Sequence, residues 1–465
     1  MTPAPADADR DVDVRIEVHG PHDADVGADT DADVEAVDTA DVVIIGAGPA
    51  GSALAALLAR RGIDVVLLER DAFPRDKLCG EFLSPEAGRL LRTIGCYDAL
   101  AALGPPALGA ARFTLPSGFT LDVPLPGEGW GLSRSALDAV LAAHALTSGV
   151  RLLERTEAVA VRAAADGGVE VVVAAAGGAS SSAASTDAAT TDEASSTLGA
   201  TVPPRGASPR APHDSRVLRA SLVVAAYGRW SRLDRANERP FAARRTPFIG
   251  LKRHMRVIEG DAGAATAAAL AGRVEMHVFD GGYCGLTAIE TGEVNACLLV
   301  HKRFVRGVGG AAWPSIVAGA GRANRTLGAR LAGLAPVDDV VHAVAQVTFD
   351  FKDRGDADRL YVGDAAGMIA PLVGDGQAMA LESAVRLADL IADALAQDGR
   401  PLDDVGRGRL AAAWDRAWWD AFGRRMHLAR ALQPVVLRPR LAEPAARVLA
   451  GLPGAMGWLA RRTRG

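Results

Sequence analysis

Six residues near the start of the chain, Gly46-Ala47-Gly48-Pro49-Ala50-Gly51, have the types and spacing to bind a pyrophosphate. Gly46 permits a tight turn, Gly48 lets backbone N–H groups approach phosphate oxygens, and Gly51 allows a helix to pack closely on a sheet. Exposed amides at a helix N-terminus, together with its positive end, favour the anion. Glu69, 23 residues after Gly46, stands where an acid can hydrogen-bond a ribose 2′-hydroxyl. The surroundings agree. Val42–Ile45 reads as a buried strand, Ala50–Arg61 as a small apolar helix and Val65–Leu68 as a second buried strand. Strand, turn, helix and strand within about thirty residues form one βαβ unit.

A second set of residues lies far downstream. Asp364, beside Gly363 and just after a short strand over Leu360–Val362, presents a carboxylate suited to a hydroxyl of a ribityl chain. FAD has such a chain and NAD does not. Pro371, Gly374 and Gly376 then lead into a helix near Gln377–Gln397. Amides at its start can face the flavin N1–C2=O edge, where negative charge gathers on reduction. Together the two sets point to FAD.

The chain resembles the flavoprotein superfamily containing aromatic-ring hydroxylases of the p-hydroxybenzoate hydroxylase type, geranylgeranyl reductases and flavin-dependent halogenases. The carriers are DVVIIGAGPAGSALAALLARRGIDVVLLER, FPRDKLCGEFLSPEAGRLLRTIG and YVGDAAGMIAPLVGDGQAMALESA. The likeness is strong over residues 41–100 and 359–397 and fades between them. It implies an α/β fold: a Rossmann-like FAD-binding domain, an antiparallel β-sheet substrate domain and a helical C-terminus. It also implies that Gly46, Gly48, Ala50, Gly51 and Glu69 hold the ADP part, with Arg70 and Lys77 also at the cofactor. Asp364 and Gly363 would meet the ribityl chain, and Pro371, Gly374 and Gly376 the isoalloxazine. Arg134, preceding Leu137-Asp138, matches an arginine that contacts the cofactor in this superfamily.

The segment Arg75-Asp76-Lys77-Leu78-Cys79-Gly80-Glu81 leans towards the geranylgeranyl reductases. In that branch a cysteine in such a setting lies close to the flavin, so Cys79 would donate a proton or position substrate. By residue type alone it serves equally as a small structural hydrophobe. Two departures count. Tyr227 stands where ring hydroxylases have an acid, and the Trp-x-Trp of tryptophan halogenases is absent. Tyr283-Cys284-Gly285 loosely echoes a substrate-floor motif of the reductases.

These groups need a scaffold, and the rest of the chain supplies one. With 49% hydrophobic and 23% charged residues, 465 residues can build two or three domains. The expected order is an acidic disordered tail over 1–40, then a first FAD-binding part over 41–243 carrying a flexible insertion at 177–215. A substrate sheet over 244–350 follows, then a second FAD-binding part over 351–400 and a helical segment over 401–465. Strands are expected at Phe248–Val257, Arg273–Phe279, Tyr283–Ile289 and Val294–His301, and the last segment should be broken by Pro434, Pro439, Pro444 and Pro453. The net charge of −5 hides twelve Asp/Glu against two Arg in the first forty residues, and nine arginines against Glu443 from Arg424 onward.

Four cysteines without a CxxC, no secretory leader pattern and no long apolar run fit a cytoplasmic protein. Trp414, Trp418, Trp419 and Trp458 with the C-terminal arginines are able either to pack on the flavin domain or to meet a membrane face. Nine histidines show no metal-ligand spacing, so no metal is expected, and His254 and His277 fall on strands that border the substrate side. No nucleic-acid motif is present.

The expected chemistry is an NADH- or NADPH-driven flavin oxidoreductase, with no second dinucleotide fingerprint, so that the nicotinamide docks transiently. Hydroxylation of a hydrophobic aromatic or polyketide-like molecule stands first, and reduction of prenyl or other carbon–carbon double bonds second. A non-catalytic flavin-binding assembly partner is the reading from another class.

Overall fold

A computed structural model describes residues 16–18, 38–165, 167–176, 215–356, 358–398 and 401–451. The insertion at 177–215 lies outside them except for Ser215, as do Trp458 and Pro453. Two sheets organise the molecule. The first has seven strands. Its centre is parallel: Arg151–Leu153, Val65–Leu68, Asp38–Ile45 and Arg216–Ala225 lie side by side. Arg359–Tyr361 adds to it in parallel from far downstream, while Val169–Ala175 and Thr156–Ala163 continue it antiparallel. Val42 to Ile44 and Val65 to Leu68 are sealed from water, as continuous apolar runs in parallel strands require. The Pro49–Ala59 helix has proline at its first position and almost nothing larger than leucine, so it lies flat on this sheet. The Gly376–Gln397 helix packs against it, which closes the sequence gap between the two cofactor motifs.

The second sheet has ten strands. Phe248–Val257, Val294–His301, Gly282–Ala288 and Arg273–Phe279 pair antiparallel in that order. The division expected from sequence is crossed here. Phe82–Leu83, Ala107–Thr114 and Thr120–Gly131 come from the first segment yet extend this sheet, Ala107–Thr114 pairing parallel to Arg273–Phe279. Short or alternating strands carry no label for which sheet they will join, and pairing alone assigns them. The acidic tail also needs correcting in two places: Ile16–Val18 pairs with Val341–Ala343, and Asp38–Ala40 already belong to the first strand.

The C-terminal region is a 33-residue helix, Asp404–Val436, followed by Pro439–Ala450. Pro434 and Pro444 lie inside these helices rather than ending them. Leu437 and Ala442 are buried in one apolar cluster with Tyr283 and Leu372, and this packing offsets the missing N–H bonds. Trp414 and Trp418 are fully buried in the main core, and Trp414 Nε1 donates to Tyr361 O. Those two rings are therefore committed to the flavin domain. Among the described residues no helix is long and apolar enough to cross a membrane.

Candidate flavin site

The glycine turn is shaped by what it cannot hold. Gly46 has a φ of +104°, and a Cβ there would stand 2.7 Å from Ala226 O; one on Gly51 would lie 1.9 Å from Gly46 O. Gly48 caps the Pro49–Ala59 helix without a side-chain hydrogen bond, which leaves the first-turn amides to a ligand. Ala50 faces Gly363, where a Cβ would approach the Ala50 methyl to 2.9 Å. The two sequence motifs thus meet at one seam. The glycines keep a narrow cradle open for a ligand backbone, and its chemistry fits FAD.

Glu69 is buried at the end of its strand. It accepts from Ala47 N–H (3.0 Å), Asp71 N–H (3.1 Å) and Arg75 Nη2 (2.8 Å). Arg75 also grips Asp138 (2.6 Å), and Arg134 binds both oxygens of the same Asp138 at 2.8 and 2.7 Å. Arg134 therefore sits inside the cradle, with one of its Nη atoms 3.8 Å from the point where a Gly48 Cβ would be. Arg70 is half exposed, and Lys77 pairs with Asp71 at 2.7 Å.

At the other end Asp364 is partly buried, and no protein hydrogen bond to its carboxylate is found among the described residues. Burial raises its pKa, and the charges of Lys352, Arg134 and Arg229 offset this only in part. An acceptor so placed suits a ligand hydroxyl. Lys352 donates to Asp364 O and Arg229 O, both at 2.7 Å, and burial pushes its ammonium down to about 7. Pro371 opens a short 3₁₀ turn, Gly374 has a φ of +65° with Phe82 against its Cα, and Gly376 begins the long helix. Asp375, at the N-cap position of that helix, is fully buried.

Cys79 lies between the helix and the second sheet. Its Sγ accepts from Gln377 Nε2 at 2.9 Å, and its carbonyl accepts from Asn295 Nδ2, also at 2.9 Å. Gln377 Oε1 is buried with no hydrogen-bond partner among the described residues. Beside it is a charged cluster. Lys252, fully buried, reaches Asp76 Oδ1 and Glu81 Oε1, both at 2.5 Å, and His254 Nε2 meets Glu81 Oε2 at 2.7 Å. Asp76, Glu81 and His254 bring donor atoms within 4.8 Å of one another. The cation among them is the Lys252 ammonium, so no metal is assigned. His277 is turned away, bonded through Nδ1 to Thr114. Tyr227 donates to Asp234 (2.6 Å), which Arg239 also binds.

Next to the Met368–Ala370 stretch a cavity of about 380 Å³ opens towards the C-terminal helices. Phe248, Phe349, Phe351 and Leu437 give it apolar walls, and Arg303 and Arg430 stand among its polar lining.

Sequence reasoning had no means of finding Lys252, Asp76, Glu81, Asn295 or Gln377 as a group. Their positions span three hundred residues without a spacing rule, although a lysine in an apolar strand was a signal in itself: Lys252 is one of only four in the chain.

Residues 39–247 match the FAD binding domain family. The menaquinone reductase of Mycolicibacterium smegmatis is 36% identical over 137 residues, 28% of this chain and 32% of that protein. The flavin-dependent halogenase armH3 of Armillaria mellea is 36% identical over 133 residues, 27% of this chain and 26% of that one. The chain thus matches about a third or less of the length of these relatives. A solved geranylgeranyl bacteriochlorophyll reductase-like protein of Thermoplasma acidophilum superposes with a TM-score of 0.67 at 17% identity, covering 91% of this chain and 96% of that one. Residues 39–247 thus carry the sequence pattern of the FAD binding domain family, and the fold as a whole is that of the solved reductase-like protein.

Proposed function

We infer that this flavoenzyme takes electrons from NADH or NADPH and reduces a carbon–carbon double bond of a hydrophobic, isoprenoid-type small molecule. One observation carries the reading: Cys79, whose Sγ is held by Gln377 at the start of the long helix and whose carbonyl is held by Asn295 of the second sheet. A thiol at the junction of cofactor domain and substrate sheet is placed to give a proton to one carbon while the other receives hydride. FAD, when bound, supplies the two-electron chemistry. The chain's residues hold the cofactor, shield the junction from water and position the proton.

Support comes also from the menaquinone reductases among the relatives, whose name specifies reduction. Hydroxylation, first in the sequence reading, yields first place because it gives this thiol no task. It remains the second reading on the strength of the aromatic-walled cavity, which suits an aromatic or polyketide-like molecule equally.

Anaerobic incubation of holoprotein with each nicotinamide and a panel of prenylated quinones, polyprenyl alcohols and aromatic polyketides separates the readings. Products formed without oxygen that stay heavier by two hydrogens after any quinol is reoxidised to quinone support reduction of a carbon–carbon double bond. Products heavier by one oxygen, formed only in air, overturn it in favour of hydroxylation. Flavin that neither nicotinamide reduces overturns both and leaves a binding protein.

A further inference from the structure

The segment bearing Cys79 is tied to the second sheet from both sides of the thiol, and one residue makes most of the ties. Lys252 Nζ bonds Asp76 Oδ1 at 2.5 Å and Lys77 O at 3.3 Å before the cysteine, and Glu81 Oε1 at 2.5 Å after it. No part of its side chain reaches water. Register explains the reach: Lys252 stands opposite Cys297 on one side and His342 on the other, and His254 opposite Asn295. Residues two apart on a strand share a face, so Lys252, His254, Asn295, Cys297 and His342 form one patch beneath the segment.

Four members of the patch, Lys252 included, bond or pair with the segment. Asn295 holds the Cys79 carbonyl, His254 holds Glu81, and His342 Nε2 lies 3.4 Å from Asp76 Oδ2. Glu81 adopts a φ of +53°, a left-handed conformation that non-glycine residues rarely take. Its carboxylate over-determines that conformation, accepting from Lys252, from His254 and from the Arg134 N–H at 2.9 Å. The Glu81 N–H then points to Cys79 Sγ, 3.5 Å away. Without the ammonium, two carboxylates would face each other in a buried space with only histidines to balance them.

We propose that Lys252 is the positioning residue for Cys79: its buried ammonium locks the Asp76–Glu81 segment to the substrate sheet so that the thiol faces Gln377 at the cofactor edge. The consequence for catalysis rests on the reading above, in which Cys79 acts beside the flavin. The lock itself does not, because it concerns where the thiol points. Lys252 touches neither the thiol nor the cradle glycines, so its effect passes through backbone geometry.

The test is the rate at which iodoacetamide alkylates Cys79 in holoprotein, read by mass spectrometry of the peptide, with buried Cys96 as internal reference. In Lys252→Met the Cys79 rate should rise at least about tenfold relative to Cys96, with Lys252→Arg restoring much of the protection. Cys79 and Cys96 rates changing in the same proportion would indicate general loosening and overturn the proposal, as would a Cys79 rate within twofold of wild type. Should Lys252→Met not fold, Glu81→Gln provides the same measurement with Lys252 still paired to Asp76. There a selective rise supports the lock and an unchanged rate refutes it. In turnover, kcat should fall while KM for the nicotinamide stays constant. If Lys252→Met releases the thiol but Cys79→Ala turns over like wild type, the lock stands and the catalytic role of Cys79 fails.

Discussion

Arg425, in the long C-terminal helix, binds Asp375, the residue at the N-cap position of the Gly376–Gln397 helix, at 3.3 Å. Its second nitrogen reaches Glu382, about two turns further along that helix, at 3.0 Å. The C-terminal region thus fixes the start of the helix on which Gly376 and Gln377 stand. Arg425→Met would remove one cationic partner from both Asp375 and Glu382, and breaking a buried ion pair costs up to about 3–5 kcal/mol. The expected outcome is a lower melting temperature together with faster FAD loss, followed by differential scanning fluorimetry of intrinsic flavin emission.

Gly51 offers a sharper test of the cradle. A methyl there would meet Gly46 O at 1.9 Å, so helix and turn must separate. Gly51→Ala should destabilise the protein by about 1–3 kcal/mol. Purified variant should be colourless, checked by absorbance in the flavin band before and after adding FAD. A yellow, stable Gly51→Ala protein would remove the cradle from the FAD site.

Asp364 should contribute through its acceptor oxygens. Asp364→Ala is expected to weaken FAD binding roughly tenfold to a hundredfold, the range for one hydrogen bond to a charged group. Asp364→Asn keeps an acceptor oxygen and should lose less. Titration of apoprotein by flavin fluorescence quenching measures both.

His254 and Asp76 make stability depend on pH in opposite directions. Burial works against the charged His254, but its hydrogen bond and charge pairing with Glu81 prevail and raise its pKa. Its contribution is therefore complete below the ordinary histidine value of 6.5 and is lost as pH rises through the higher folded value. Asp76 is also penalised by burial, yet His342 and Lys252 hold it well below the usual carboxylate range. Its share is present above 3.8 and lost as pH falls through the depressed value. Melting temperatures from acid to alkaline pH should show a decline on the alkaline side of neutrality in wild type, and a shallower one in His254→Gln. Identical alkaline slopes would refute the assignment.

The glycine turn and the buried Glu69 beside it were legible because their rules are local. Gly46, Gly48 and Gly51 are demanded by backbone approach within one turn, and Glu69 by the length of one helix and strand. Asp364 and the glycines after it follow the same logic at a second strand end. The charged cluster on the second sheet was not legible. Lys252, Asp76, Glu81 and His254 meet across 176 residues between Asp76 and Lys252, and no periodicity records such a meeting. His254 read as an ordinary strand residue because a strand shows its alternation but not its neighbour's charges.

By itself, then, the sequence determined the βαβ unit, the glycine turn, the short strand before Asp364 and the strands of residues 248–301, all of them set by steric rules acting over a few residues. Only the tertiary structure decided that strands from 107–131 join the second sheet and that Trp414 and Trp418 are buried. It also placed Cys79 between Gln377 and Asn295. Those outcomes depend on strand pairing and charge neutralisation between distant segments, whose energies exist only once the chain has brought the partners together.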